Sequence, residues 1–354
     1  MPSSWYAQNL MPILALTDAE RAHELTFALL RAAKPLLGAV VQVVDPPQLP
    51  VSAFGLQFAN PLGLAAGLDK QGEALDMWPI LGFGFTEIGT ITPQPQLGNP
   101  RPRLFRSVPL GAIVNRMGFN SDGAQAVATR LPVRGQRSTP IGVNVGKNKD
   151  TANADAISDY VAAIVRLRNY ADYLVINVSS PNTPELRTLQ SPEFLHGLVR
   201  QCCVAAQDVP LLVKVAPDFA AGELEATVIA AVDAGAAGIV ACNTTVTRPQ
   251  VAHAVLQQSG GLSGTPLHQL AVQTVQRVHS AVGARVPIIG VGGVASADDA
   301  WRLVLAGATL VQVYTSLIFH GPGLIRPIIH ELQLRVAIDF GGDWHAAVGA
   351  ASTR

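Results

Sequence analysis

Cysteine is nearly absent: three in 354 residues, with Cys202 and Cys203 adjacent and Cys242 alone. That set makes no disulfide framework and no C-x-x-C metal pattern, so the expected compartment is reducing. Charge is also sparse and balanced, with 25 Lys and Arg against 25 Asp and Glu. Without a basic stripe to meet phosphates, no nucleic-acid partner is expected. No stretch of about 18 apolar residues escapes a charge or a breaker, so no membrane span is expected. The N-terminus lacks a charged segment followed by a long apolar core, so it does not read as a secretory leader. No G-x-G-x-x-G fingerprint follows a strand, so nicotinamide is not indicated. The eight histidines show no metal-ligand spacing, so no metal is expected.

Apolar residues are plentiful, at 49%. From residue 60 onward, short apolar runs alternate with segments of helical period. The runs at 62–67, 83–89, 141–146, 173–178, 211–216, 238–243, 287–292 and 310–315 are nearly continuous in hydrophobicity. Strands covered on both faces have that pattern. Between them, segments such as 153–168 repeat Ile157, Tyr160, Val161, Ile164 and Val165 at helical spacing. Similar segments follow at 192–206, 221–234, 267–282, 297–306 and 323–338. Eight such units predict an α/β fold, a (β/α)8 TIM barrel; the structural rival is a doubly wound sheet. Stretches 51–61 and 102–115 read as hairpins added to the barrel, the first closing its bottom.

The first 45 residues stand apart. Thr17-Asp18-Ala19-Glu20 reads as a capping box that opens an amphipathic helix striped by Ala22, Leu25, Leu29 and Ala33. VVDPPQLP (43–50) reads as a stiff linker. The expected domains are a helical extension over 1–45, a barrel over 46–340 and a polar tail over 341–354.

In a barrel the chemistry sits on the loops that follow the strands. Collected there are Ala66-Gly67-Leu68-Asp69-Lys70, Thr90, Asn144, Lys147, Asn177, Ser180, Asn182, Asn243 and Thr244, then the run Gly261–Gly264, Gly292-Gly293 and Tyr314-Thr315. The inserted hairpin adds Asn115 to Phe119. Glycines in GVGGVAS (290–296) let backbone N–H groups approach an anion, which suits a phosphate; a tight turn would also need small residues. Lys214 lies in an apolar strand, where an ammonium calls for an anionic partner, unless it snorkels out of the barrel mouth. Asn115, Asn177, Asn182 and Asn243 each donate and accept, so together they suit a ring that presents alternating N–H and C=O edges.

The motifs AAGLDKQG, GTITPQPQ, NRMGFN, GVNVGKNK, NVSSPNTPELR, LVKVAPD, CNTT, GGLSG, GVGGV and VYTS appear in that order over 66–316. Together they resemble the dihydroorotate dehydrogenases. The resemblance implies FMN as cofactor, held by Ala66, Gly67, Leu68, Asp69, Lys70, Thr90, Asn144, Asn177, Lys214, Cys242, Gly264, Gly293, Tyr314 and Thr315. Cys242 stands where the family usually has a threonine, and Thr315 where it has a serine. The implied substrate contacts are Lys70, Asn115, Arg116, Met117, Gly118, Phe119, Asn177, Asn182, Asn243 and Thr244.

The same resemblance implies that dihydroorotate loses a hydride to the flavin and a proton to the loop after the fourth strand. Ser180 is the implied base, as in the quinone-linked class 2 branch, where the class 1 members have cysteine. Pro181 and Pro184 would stiffen that loop. The N-terminal extension resembles the class 2 quinone entrance, with His23 and Arg106 along it. The expected partners are dihydroorotate and orotate, a membrane quinone, and a membrane surface met by the N-terminal helices. A monomer is expected, peripheral on the cytoplasmic side of a bacterial inner membrane; a mitochondrial enzyme shorn of its leader would read similarly. The rivals are a soluble FMN dehydrogenase using fumarate or another acceptor, a flavin-free phosphosugar isomerase or aldolase barrel, and a non-catalytic membrane scaffold.

Overall fold

The computed structural model describes residues 5–41, 47–137, 139–183 and 185–353. Pro184 and residues 43–46 of the expected linker lie outside the described residues.

Eight parallel strands close into a barrel in chain order: Leu62–Leu64, Phe85–Ile91, Ile141–Val145, Tyr173–Asn177, Leu211–Val215, Gly238–Ala241, Ile288–Val291 and Leu310–Val313. Closure comes from the last strand pairing with the first, Val311 opposite Leu62. The barrel is the expected fold, and every apolar run became one of its strands because each is buried on both faces. Helices Ala156–Leu167, Pro192–Ala206, Glu223–Asp233, His268–Val282, Ala297–Ala306 and Ile325–Phe340 cover the outside. The first two crossovers carry only short helices, Met77–Leu81 and Ala124–Ala128.

The hairpin of Val51–Ala53 and Leu56–Phe58 plugs the barrel bottom. Phe58 meets Phe85 edge-on at 5.2 Å, and Phe54 approaches Tyr173 at 6.2 Å. Gly142 makes the space this stack needs, since a Cβ there would lie 2.1 Å from the Tyr173 ring. The core therefore sits low in the barrel, and the strand C-termini are left for the site.

Three expectations change. The inserted hairpin, Leu104–Ser107 with Ala112–Asn115, gains a third strand from Gly261–Gly264, which the sequence suggested was a loop. The capping box does not form: Asp18 Oδ1 accepts from the Glu20 and Arg21 backbone N–H groups, while Thr17 donates to Leu14 O. Glu20 is drawn away by a guanidinium on the barrel. The polar tail is also not loose. A short helix at Trp344–Ala347 buries Trp344, whose Nε1 donates to Thr309 O at 2.9 Å. Trp344→Ala is expected to cost about 3–5 kcal/mol in chemical denaturation, the usual loss for a buried aromatic; a loss below 1 kcal/mol would mean the tail merely rests on the barrel.

Candidate active site

The second barrel strand carries a register shift between Ile88 and Ile91. Such a bulge re-aims the side chain beside it, here Thr90. Gly89 makes it possible: its φ is +104°, and a Cβ would fall 2.3 Å from Asn144 O. Thr90 Oγ1 donates to Asn144 Oδ1 at 2.6 Å and accepts from Asn177 Nδ2 at 2.9 Å. Asn144 in turn donates to Glu87 Oε1 at 2.9 Å, and Gln312 donates to Glu87 Oε2 at 2.7 Å. On the other side, Ser179 Oγ donates to Asn177 Oδ1 at 2.9 Å and accepts from Asn243 Nδ2 at 2.9 Å. A continuous ladder of amides and hydroxyls thus fixes which edge of each carboxamide faces the barrel mouth.

Above this ladder lies a cavity of about 140 Å³. Ala66, Gly67, Lys70, Thr90, Asn177, Lys214, Cys242, Gly264, Gly293, Tyr314 and Thr315 line it, among the expected cofactor contacts. Asn115, Met117, Gly118, Phe119, Asn182, Asn243 and Thr244 line it too, together with Ser180. Four expected contacts fall outside this wall. Asn144 lies one layer below and orients Thr90 and Asn177. The Asp69 carboxylate turns into the following loop, accepting from Glu73 N, Ala74 N and Trp78 Nε1. Leu68 faces the N-terminal helices. The Arg116 guanidinium stacks on Phe105 at 4.6 Å and donates to Pro102 O. Lys147 also turns away, donating to Thr151 O at 2.6 Å.

The cavity's charges are unusual for a buried place. Lys214 is 5% exposed and stands on the fifth strand. Burial lowers the Lys70 ammonium to about 8, with Glu20 opposing and Arg103 adding to the fall. Burial pushes the Cys242 thiol up to about 12 although Lys214 pulls the other way, so it stays a neutral thiol. Ser180 is 6% exposed, and its Oγ accepts from Asn182 N at 3.2 Å. That contact occupies one lone pair and leaves the other toward the cavity.

At the far end, Gly264 (φ +94°), Gly292 (φ +143°) and Gly293 (φ +67°) line the wall. A Cβ on Gly293 would meet Gly264 O and His268 Cβ at 2.7 Å, so only glycine fits. Thr315 Oγ1 donates to Ser263 Oγ at 2.9 Å beside them. This donor set has the chemistry of a phosphate cradle.

His23 and Arg106 lie elsewhere, in an apolar cavity of about 390 Å³ between the N-terminal helices and the barrel. Tyr6, Met11, Leu14, Phe27, Ile113 and Leu317 are among its walls. Burial lowers the His23 imidazole to about 4, helped by Lys70, so it is neutral at pH 7. Arg106 donates to the carbonyls of Leu14 and Thr17, where the short helix Met11–Ala15 ends. Tyr314 lines both cavities, and its hydroxyl donates to Gly67 O at 3.2 Å.

Sequence reading misses two residues that build the site. Glu87 was passed over inside an apolar strand, although a carboxylate there needs donors and so marks a network. Arg187 ends the motif NVSSPNTPELR, which carries the serine loop. It donates to Ser179 O and Thr244 O and pairs with Asp218 at 2.9 Å, tying two site loops together.

Comparison with known proteins adds four findings. A family model described as dihydroorotate dehydrogenase matches residues 48–336. Dihydroorotate dehydrogenase (quinone) of Anaeromyxobacter sp. (strain Fw109-5) is 49% identical over 341 residues, covering 94% of each chain. Its counterpart in Acidithiobacillus ferrooxidans is also 49% identical, covering 91% of this chain and 93% of the relative. A crystal structure of the Eimeria tenella enzyme in complex with ferulenol superposes with a TM-score of 0.85 at 36% identity, covering 95% of this chain and 96% of that one.

Proposed function

The chain belongs to the dihydroorotate dehydrogenase family, and from that premise we propose that it oxidises dihydroorotate to orotate in pyrimidine synthesis, with FMN as cofactor and a quinone as final acceptor. The observation that carries this reading is the cavity that gathers Ser180, the carboxamides of Asn115, Asn177, Asn182 and Asn243, two lysines and a glycine cradle. The donor set fits FMN: backbone N–H groups and Thr315 would hold its phosphate, and Lys214 would supply a cation to its ring system. When bound, FMN supplies the hydride acceptor.

The chain's own residues do the rest. Asn115, Asn177, Asn182 and Asn243 hold the pyrimidine edge without a competing charge. Lys70 meets the carboxylate. Ser180 Oγ takes the C5 proton as its own proton passes on, and the Asn182 N–H contact orients it for that exchange.

Lys70 gives this reading a pH signature. The ammonium is charged below about 8 and neutral above it. Orotate affinity is therefore expected to hold at neutral pH and to fall as pH rises through about 8, by up to about tenfold per further unit. Flavin-fluorescence titration checks this; constant affinity to pH 9.5 would remove Lys70 from carboxylate binding.

The N-terminal helices support peripheral contact with a membrane, which we propose is the cytoplasmic face of an inner membrane. Among the described residues no helix is long and apolar enough to cross a membrane. Yet Trp5, Leu10, Ile13, Leu16, Leu25 and Leu29 are exposed there, as on a helix pair lying in a bilayer interface. The apolar cavity with Arg106 and the neutral His23 opens from the same helices and suits a quinone. The deciding experiment mixes purified protein anaerobically with dihydroorotate while the flavin spectrum is watched, then adds a quinone analogue or fumarate. Bleaching followed by recovery with the quinone alone is expected. A colourless protein, or one that dihydroorotate does not bleach, would defeat the reading.

A further inference from the structure

A buried ion pair joins the N-terminal helix to the barrel. The helix Ala19–Val41 carries Glu20, 5% exposed, and the inserted hairpin begins beside Arg103, 6% exposed. Arg103 Nε donates to both Glu20 oxygens at 3.1 and 3.2 Å, and Nη2 donates to Oε1 at 2.7 Å. Burial alone would raise the Glu20 carboxyl, but Arg103, with Arg101 and Lys70, holds it below its ordinary value. The other arm of Arg103 does not end there. Nη1 donates to Leu97 O at 2.6 Å and Asn99 O at 2.8 Å, fixing that turn.

From the turn, Asn99 reaches the catalytic loop. Asn99 Nδ2 donates to Asn182 O at 3.1 Å and to Arg116 O at 3.0 Å. Asn182 N is the group that donates to Ser180 Oγ. The path from helix to serine is thus Glu20, Arg103, Asn99, Asn182, Ser180, each step a hydrogen bond or one residue's own backbone. The members come from three separate stretches of chain, around residues 20, 99–103 and 180–182.

We propose that Glu20, Arg103 and Asn99 are positioning residues that make the serine loop's geometry depend on docking of the N-terminal helix, so that the part of the chain that receives the quinone also sets the readiness of the proton acceptor. Charge-assisted, bidentate pairing gives the path stiffness at its helix end. The carbonyl of Asn182 needs a donor to hold the loop, and Asn99 supplies one from outside it. This inference rests on Ser180 as the proton acceptor.

The test uses the full-length flavin-bound protein in anaerobic rapid mixing with dihydroorotate, unlabelled or deuterated at C5 or at C6. Glu20→Gln and Asn99→Ala are each expected to lower the limiting rate of flavin bleaching about tenfold, as a displaced catalytic group does. Half-saturation by dihydroorotate should move less than about threefold, since the ring contacts remain. The isotope effect at C5 should rise while that at C6 does not, because only proton removal has been impaired. The double variant should be no slower than the slower single one, as expected of members of one path.

Limiting rates unchanged in both variants, a loss with unaltered isotope effects, or full additivity would each overturn the inference. If Glu20→Gln does not retain flavin, Arg103→Lys is read by the same measures, since it keeps the charge and loses the second arm. The wild-type arm separates the two readings: bleaching there with indifferent variants overturns only this coupling, whereas no bleaching removes the functional reading beneath it.

Discussion

Ser180→Ala is expected to slow dihydroorotate-driven bleaching of the flavin by about 10²–10⁴-fold, the range general-base catalysis contributes, while the flavin stays bound. The size follows from loss of the hydroxyl that the Asn182 N–H orients. Cys242, also in the wall, is a neutral thiol, and the nearby amides are not bases. Retention of flavin follows from position: the glycine cradle, Lys214 and Thr315 do not depend on the serine loop. The substitution removes one hydroxyl from a loop that Arg187 still braces through Ser179 O and Thr244 O. Single-turnover bleaching measures the rate directly. Bleaching at the wild-type speed would take Ser180 out of the chemistry.

Deleting residues 1–40 is expected to lower quinone-dependent reoxidation by more than about a hundredfold, as loss of a whole binding surface does. Tyr6, Met11, Leu14, Ala22, His23 and Phe27 form one side of the apolar cavity, and none of them survives the cut. Flavin reduction should survive, though not untouched. The cut removes Glu20, so Arg103 loses its carboxylate, and bleaching should slow to about the level of Glu20→Gln, roughly tenfold. The helices would then serve the two half-reactions unequally. Rapid-mixing traces for each half-reaction check this, and equal loss of both would count against a separate quinone chamber.

The fold was legible because parallel strands buried on both faces write themselves as unbroken apolar runs. Each of the eight runs overlaps its observed strand, and the helix at 297–306 falls on its expected bounds. The plug hairpin was legible for the same reason, its phenylalanines having only the barrel bottom to bury against. Site residues carried by glycine- and asparagine-rich strand ends were also legible, since loops after barrel strands converge whatever the sequence between them. What stayed hidden was long-range pairing. Glu20 and Arg103 are 83 residues apart, and nothing near either announces the other. Glu20 even read as part of a capping box, a local motif that lost to a buried guanidinium. Asp69 misled in the opposite way: it sits in a strand-end motif, but three N–H donors in the next loop claim its carboxylate. The last residues read as tail because one tryptophan, rather than a periodic stripe, anchors them.

Tyr314 stands in the wall of both chambers, with its ring against Gly67 and its hydroxyl on the Gly67 carbonyl. A partition of one side chain means the pyrimidine and the lipid-borne oxidant never need to meet. Steady-state turnover should accordingly give parallel double-reciprocal lines, and an orotate mimic should leave the apparent affinity of a hydrophobic tunnel blocker unchanged. Electrons cross where neither reactant can.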